Sequence, residues 1–300
     1  MNLNYREKIK KSSIEESPYP HLIIDNILDA SLVEEIKNLW PQKKLHNDER
    51  GSNCFYFSSE LKNAQEDQKL FWQNLINIHM SEIANLLFAK MSNFVGYKKV
   101  SNKIEWGTAY TQENENNSSP LDFFPHTHFD HDPLWALTFL IYIEDINDNS
   151  PGTSICSLGD NKNERIDNFI KWNEIANDDS IEYLKKIELT KKFNIKHIKT
   201  VDFISNRLFC FIDGPFSFHS VNYKKSNFET NRKSIRFALG FERNKMNLKY
   251  NVEPEKWISL FKENNKEKIK KILNLEHDEF FSNDKSKMNN DWYIDKFPFF

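Results

Sequence analysis

Between residues 123 and 133 the chain reads FFPHTHFDHDP, which sets three histidines and two aspartates into an otherwise apolar stretch. His128 and Asp130 form an H-x-D unit there. On a strand, residues two apart point to the same side, so this imidazole and carboxylate would face one point together. A second imidazole is offered by His219, in FIDGPFSFHSV, just after the apolar run RLFCFI. Two histidines and one carboxylate on one face of a metal leave three coordination positions open, which suits a ferrous ion that must bind further ligands. Further on, NRKSIRFALGF places Arg232, Ser234 and Arg236 on one strand face by alternation. A guanidinium fork beside a hydroxyl suits a carboxylate. Together these residues give a metal centre with an anion site beside it.

Such groups need strands to aim them. After residue 100 the texture is that of short strands: KIEWGTAYTQ, LWALTFLIYIED, TSICSLG, HIKTVDFIS, RLFCFIDG and SIRFALGFER, separated by polar breaks such as ENENNSSP and DINDNSPG. Short strands at regular spacing predict an antiparallel barrel or jelly roll. Residues 160–190 read as a helical insertion. Before the strands, HLIID is a short apolar strand, and Ser31 with Glu34 predicts a capping box for the helix that ends before Pro41. Residues 66–92 carry Leu70, Phe71, Leu75, Ile78, Ile83, Leu86 and Leu87 at helical spacing, for one long helix or two in series. A C-terminal helix is expected from residue 254, followed by an aromatic tail ending WYIDKFPFF. The expected fold is α+β with a mainly β core, a double-stranded β-helix of jelly-roll, cupin-like form, in one domain over residues 1–300. Residues 18–100 give helical support, 101–243 the core, and 244–300 a helical extension.

Composition narrows the classes. Hydrophobic residues make up 39% and phenylalanine alone numbers 25, which is enough for a core and argues against disorder. The net charge of −3 gives no basic field for nucleic acid, and acids interleave the lysine clusters. Cys54, Cys156 and Cys210 are far apart and form no CxxC pair, as expected of a reduced, cytoplasmic protein. The N-terminus lacks the apolar stretch of a secretory signal, and no run of about 18 apolar residues predicts a membrane span.

The ordered set H-x-D, distal H, R-x-S resembles the pattern of the 2-oxoglutarate- and Fe(II)-dependent oxygenases, in the prolyl-4-hydroxylase-like branch. His128, Asp130, His219, Arg232 and Ser234 match it in order. YPHLIIDNIL resembles the family's opening, and LIYIED…SPGTSIC resembles its strand pair, with Tyr142 at the tyrosine and Pro-Gly where the family has Gly-Gly. The similarity covers roughly residues 18–243. It implies Fe(II) held by His128, Asp130 and His219, and 2-oxoglutarate held by Arg232 and Ser234, with Tyr142 and Tyr110 beside it. O2 would be the co-reactant, and succinate and CO2 the by-products. Arg236 is the alternative holder of 2-oxoglutarate. The carboxylate of Asp130 implies hydroxylation or another C–H oxidation rather than halogenation.

The substrate is read only coarsely. Arg236, Trp135 and His126 are candidate substrate contacts, while His131 and Asp132 read as loop residues. A small molecule such as an amino acid or metabolite is favoured over a prolyl or other residue of a peptide or protein. The rim segments 111–122 and 160–190 and the C-terminal tail are where specificity would reside. Two other classes compete. A cupin-type metal enzyme would use His126 and His128 as an H-x-H pair, and a non-catalytic jelly-roll binding module would need no intact triad. The oligomeric state is not encoded in any motif.

Overall fold

The computed structural model describes residues 4–41, 52–91, 103–114, 135–144, 152–176, 195–213, 217–221, 232–241 and 293–294, with 180, 181, 185, 189, 193, 267 and 270. His126, His128, Asp130, His131 and Asp132 lie outside them. So do most of the 177–190 part of the insertion and most of the expected C-terminal helix, of which only residues 267 and 270 are described, as helical.

Among the described residues, ten strands build two sheets. They are β1 (His21–Ile24), β2 (Ser52–Tyr56), β3 (Lys103–Asn114), β4 (Trp135–Tyr142), β5 (Thr153–Ser157), β6 (Lys196–Val201), β7 (Leu208–Ile212), β8 (His219–Val221), β9 (Arg232–Phe241) and β10 (Tyr293–Ile294). The main sheet runs β1-β7-β4-β9-β3-β10, with β2 also paired to β3, and the small sheet runs β6-β5-β8. Every pairing is antiparallel except that of β10 with β3. The chain crosses to the small sheet for β5 and β6, back for β7, over for β8 and back for β9, the alternation of a double-stranded β-helix. β2 and β10 are additions to the expected strand set, and β10 ties the aromatic tail to the main sheet at Lys103 and Ile104.

Alternation sorts the main sheet into two faces. Leu137, Phe139 and Ile141 of β4, Leu208, Cys210 and Ile212 of β7, and Ile235, Phe237 and Leu239 of β9 form one apolar layer with the helices. These are α1 (Tyr5–Lys11), α2 (Ala30–Asn38), α3 (Phe57–Glu60) and the helical run of α4 (Glu66–Asn74), a π segment (Leu75–Met80) and α5 (Ser81–Met91). The opposite face meets the small sheet through Leu140, Tyr142, Phe209 and Phe211 against Ile155, Val201 and Phe203. The α6 helix (Lys162–Ala176) packs Phe169 and Trp172 against Phe218.

Two local expectations are corrected. The α2 helix starts at Ala30 with Asp29 as the N-cap, so Ser31 lies inside the first turn and the Ser31/Glu34 box does not form. The start is fixed from outside the helix. Asn206, at a positive φ of 62°, accepts from Leu28 N at 2.8 Å and donates to Leu28 O at 2.7 Å. In the 66–91 run, Leu70 and Ile78 are more than half exposed, while Trp72, Ile76, Met80, Ala84 and Phe88 are fully buried. The π segment widens the period, and Ser81 Oγ donates to Ile76 O across it at 3.0 Å. Trp72 sets the buried line by packing 5.1 Å from Phe57 and donating Nε1–H to Leu39 O at 2.9 Å. No helix among the described residues is long and apolar enough to cross a membrane. All three cysteines are buried, and none is in a disulfide among the described residues.

Candidate active site

The inner face of β9 carries Arg232, Ser234 and Arg236 in that order, and the register decides their neighbours. Ser234 stands opposite Tyr142 of β4, and Arg236 stands between Tyr110 of β3 and Leu140 of β4. Arg232 is only 6% exposed, and its Cζ lies 4.7 Å from the centre of the Phe203 ring. Phe203 also stacks on Tyr142 at 4.4 Å. A guanidinium in this setting is held by an aromatic face and by few competing waters. The Tyr142 hydroxyl lies 2.7 Å from Thr153 Oγ1, and burial pushes its phenol up although the charge of Arg232 opposes this. Tyr142 is therefore a neutral hydroxyl beside a buried cation. Thr153 can reach it because Gly152 brings β5 hard against β6. A Cβ at Gly152 would sit 1.5 Å from Val201 O, so only glycine fits there.

One residue pair further along β9 the chemistry changes. Arg236 donates Nη1–H to Tyr110 Oη at 3.1 Å, and Tyr110 in turn packs 5.0 Å from the partly exposed Tyr56. Its Nη2 is buried and has no hydrogen-bond acceptor among the described residues. No described acid forms an ion pair with it.

His219 reaches the same interior from the small sheet. It opens β8, opposite Ile155, and its ring lies 4.8 Å from Phe211 of the main sheet. Two backbone anchors fix the approach. Tyr19 Oη donates to Phe218 O at 3.1 Å, and Cys156 N donates to the same carbonyl at 2.8 Å. The Nδ1–H donates to Ser217 O at 3.0 Å, so the lone pair resides on Nε2. Burial, aided by the charge of Arg236, pushes the imidazole down to about 4, and it is neutral at physiological pH. A neutral histidine with its tautomer fixed by a backbone carbonyl is the form that ligates a metal. In the donor chemistry of His219, and in the buried cation and neutral hydroxyls nearby, the described residues fit a metal with an anionic cosubstrate.

Of the residues that the sequence singles out, the structure sets Arg232, Ser234, Arg236, Tyr142 and Tyr110 on the sandwich side of the main sheet and His219 on the small sheet facing it. Trp135 begins β4, and only its backbone is described. Trp106 lies in the helix-facing core 5.3 Å from Phe237. Sequence reasoning misses Asp213, which follows β7, is 3% exposed and accepts a hydrogen bond from Thr138 Oγ1. Burial pushes its carboxyl up to about 7, against the opposing effects of Thr138 and Arg236. The available signal is an acid that continues the inward alternation of Phe209 and Phe211.

No protein-family model matches the chain, and no curated protein matches it. Solved structures do match. One is a prolyl hydroxylase in complex with a hypoxia inducible factor oxygen degradation domain peptide fragment from Trichoplax adhaerens. It is 13% identical, with a TM-score of 0.44, over 80% of this chain and 86% of that one. Another is HygX from Streptomyces hygroscopicus with nickel and 2-oxoglutarate bound, 12% identical with a TM-score of 0.44, over 73% of this chain and 82% of that one. A third is SnoN, a non-heme alpha ketoglutarate dependent epimerase from nogalamycin biosynthesis, 11% identical with a TM-score of 0.44, over 79% and 82%.

Proposed function

We propose that this chain is an Fe(II)- and 2-oxoglutarate-dependent oxygenase that oxidises a C–H bond of a small molecule, acting as one domain. The observation that carries the reading is the pairing, inside one β-sandwich, of a buried neutral imidazole at His219 with a buried guanidinium at Arg232. In this reading His219 Nε2 joins His128 and Asp130 in holding the iron. Arg232 forms charge-assisted hydrogen bonds to the distal carboxylate of 2-oxoglutarate, and Ser234 and Tyr142 supply neutral hydroxyls beside it. When bound, iron and 2-oxoglutarate supply the oxidising equivalent from O2, with release of succinate and CO2.

The protein's own contribution is orientation and dryness. The Ser217 carbonyl holds the His219 proton on Nδ1. Phe203, Phe209 and Phe211 keep water from the interior, which strengthens every charge contact within it. In this reading Asp130 would take the coordination position that a halide needs, so hydroxylation or desaturation is the expected outcome. A small substrate is favoured over a peptide because Asp213 and the Nη2 of Arg236, the charged groups beyond the anion site, are buried.

The test is a screen of free amino acids, other metabolites and peptides for stimulation of succinate formation with Fe(II) and 2-oxoglutarate. Stimulation by a small molecule is expected. Stimulation by peptides alone would replace the substrate class, and no succinate under any condition would remove the oxygenase reading.

A further inference from the structure

The sandwich interior holds two groups of opposite character that the described residues satisfy only in part. Asp213 is 3% exposed, and its Oδ2 takes the Thr138 hydroxyl hydrogen while its Oδ1 has no hydrogen-bond donor among the described residues. Arg236 spends Nη1 on Tyr110 and leaves Nη2 buried without an acceptor among them. A buried acceptor and a buried donor left open are costly, and a bound molecule that supplies both partners removes that cost.

The topology sets these groups on the same face of the main sheet. Arg236 on β9 and Asp213 at the end of β7 flank β4, so their strands are about 10 Å apart. That separation leaves the two groups without an ion pair, while the charge of Arg236 still reaches Asp213. Between them the inward residues of β4 are Leu140, opposite Arg236, and Thr138, opposite the small Ala238. His219 stands at the same space, since the charge of Arg236 reaches its ring and Phe211, the inward residue before Asp213, contacts it. The Arg232 end of β9 is separate, closed over by Phe203 and Tyr142.

We propose that Asp213 and Arg236 are the two poles of a substrate subsite for a zwitterion of the α-amino acid class. Asp213 takes the ammonium group and Arg236 the carboxylate. This rests on the oxygenase reading for the reaction, but the binding itself does not require it. Thr138 is a positioning residue, holding one carboxylate oxygen of Asp213 so that the other faces the ligand.

The test uses the full chain with and without Fe(II) and 2-oxoglutarate, free of oxygen. Each of the twenty common L-α-amino acids is titrated by calorimetry. The tightest binder is then compared with its deaminated acid and its decarboxylated amine. Asp213→Asn should weaken the amino acid and the amine by roughly tenfold to a hundredfold, with a much smaller effect on the acid. Arg236→Gln should do the reverse, weakening the amino acid and the acid. Thr138→Val, which leaves both charges in place, should shift binding in the direction of Asp213→Asn by a smaller factor. The subsite is overturned if none of the twenty binds wild type, or if Asp213→Asn and Arg236→Gln fail to discriminate among the three ligands. Wild type that binds 2-oxoglutarate but no amino acid removes the subsite alone. Wild type that binds an amino acid but never 2-oxoglutarate upholds the subsite and removes the oxygenase reading.

Discussion

The two faces of the main sheet are made by the same strands, residue by alternate residue, and they treat polar groups in opposite ways. On the helix side Phe139 and Phe237 stack at 4.8 Å, and Ile141, Leu208 and Ile235 close the layer with no exposure at all. On the sandwich side the neighbouring positions of β9 are Arg232, Ser234 and Arg236, with Asp213 on the same face beyond β4 and His219 across from them on the small sheet. The first face stabilises the molecule. The second holds charge where water is scarce, at a cost in stability that a purely structural face has no reason to bear. A period of two lets one strand do both.

Substitutions that act on one face alone should separate these roles. The largest effect is expected at the cation of the anion site. Arg232→Leu leaves a bound carboxylate without its buried partner, a loss of about 3–5 kcal/mol, so the apparent KM for 2-oxoglutarate should rise by orders of magnitude. Steady-state succinate formation measures it, and the same rise in Arg236→Leu but not in Arg232→Leu would exchange the two roles. On the helix face, Phe237→Ala removes a fully buried ring that touches Phe57, Phe139 and Trp106. Chemical denaturation should show a loss of about 3–5 kcal/mol with a small change in that KM.

Asp213 predicts a pH dependence. Its carboxyl is raised to about 7 in the folded chain, from an ordinary value near 3.8. Between those pH values the folded state holds a proton that the unfolded state has released. Stability of the ligand-free protein is therefore full below the lower value and falls as pH rises through the window, by up to a few kcal/mol. Denaturation midpoints across pH should show this slope, and Asp213→Asn should flatten it. The smallest effect is expected for Tyr142→Phe, which deletes one hydrogen bond to Thr153 and costs about 1 kcal/mol of stability.

The site was more legible in the sequence than parts of its support. R-x-S-x-R on β9 could be read because alternation alone decides which side chains share a face, and the structure keeps that order beside Tyr142 and Tyr110. His219 was legible through its position after RLFCFI. Asp213 was not, since one acid at the end of a strand reads like any turn residue until Thr138 is seen against it. The helical run 66–91 was found, but Ile78 was assigned inward because a uniform helical period knows nothing of the π segment at Leu75–Met80. β10 is only two residues long and exists through its pairing with β3, a tertiary event with no local signal.

The most direct test of the central claim is iron-dependent 2-oxoglutarate turnover by His219→Ala beside wild type, with bound iron measured in both. Wild type should retain Fe(II) and form succinate in proportion to 2-oxoglutarate consumed, and the variant should lose both properties while keeping its fold by circular dichroism. Succinate formation by His219→Ala at the wild-type rate would contradict the account.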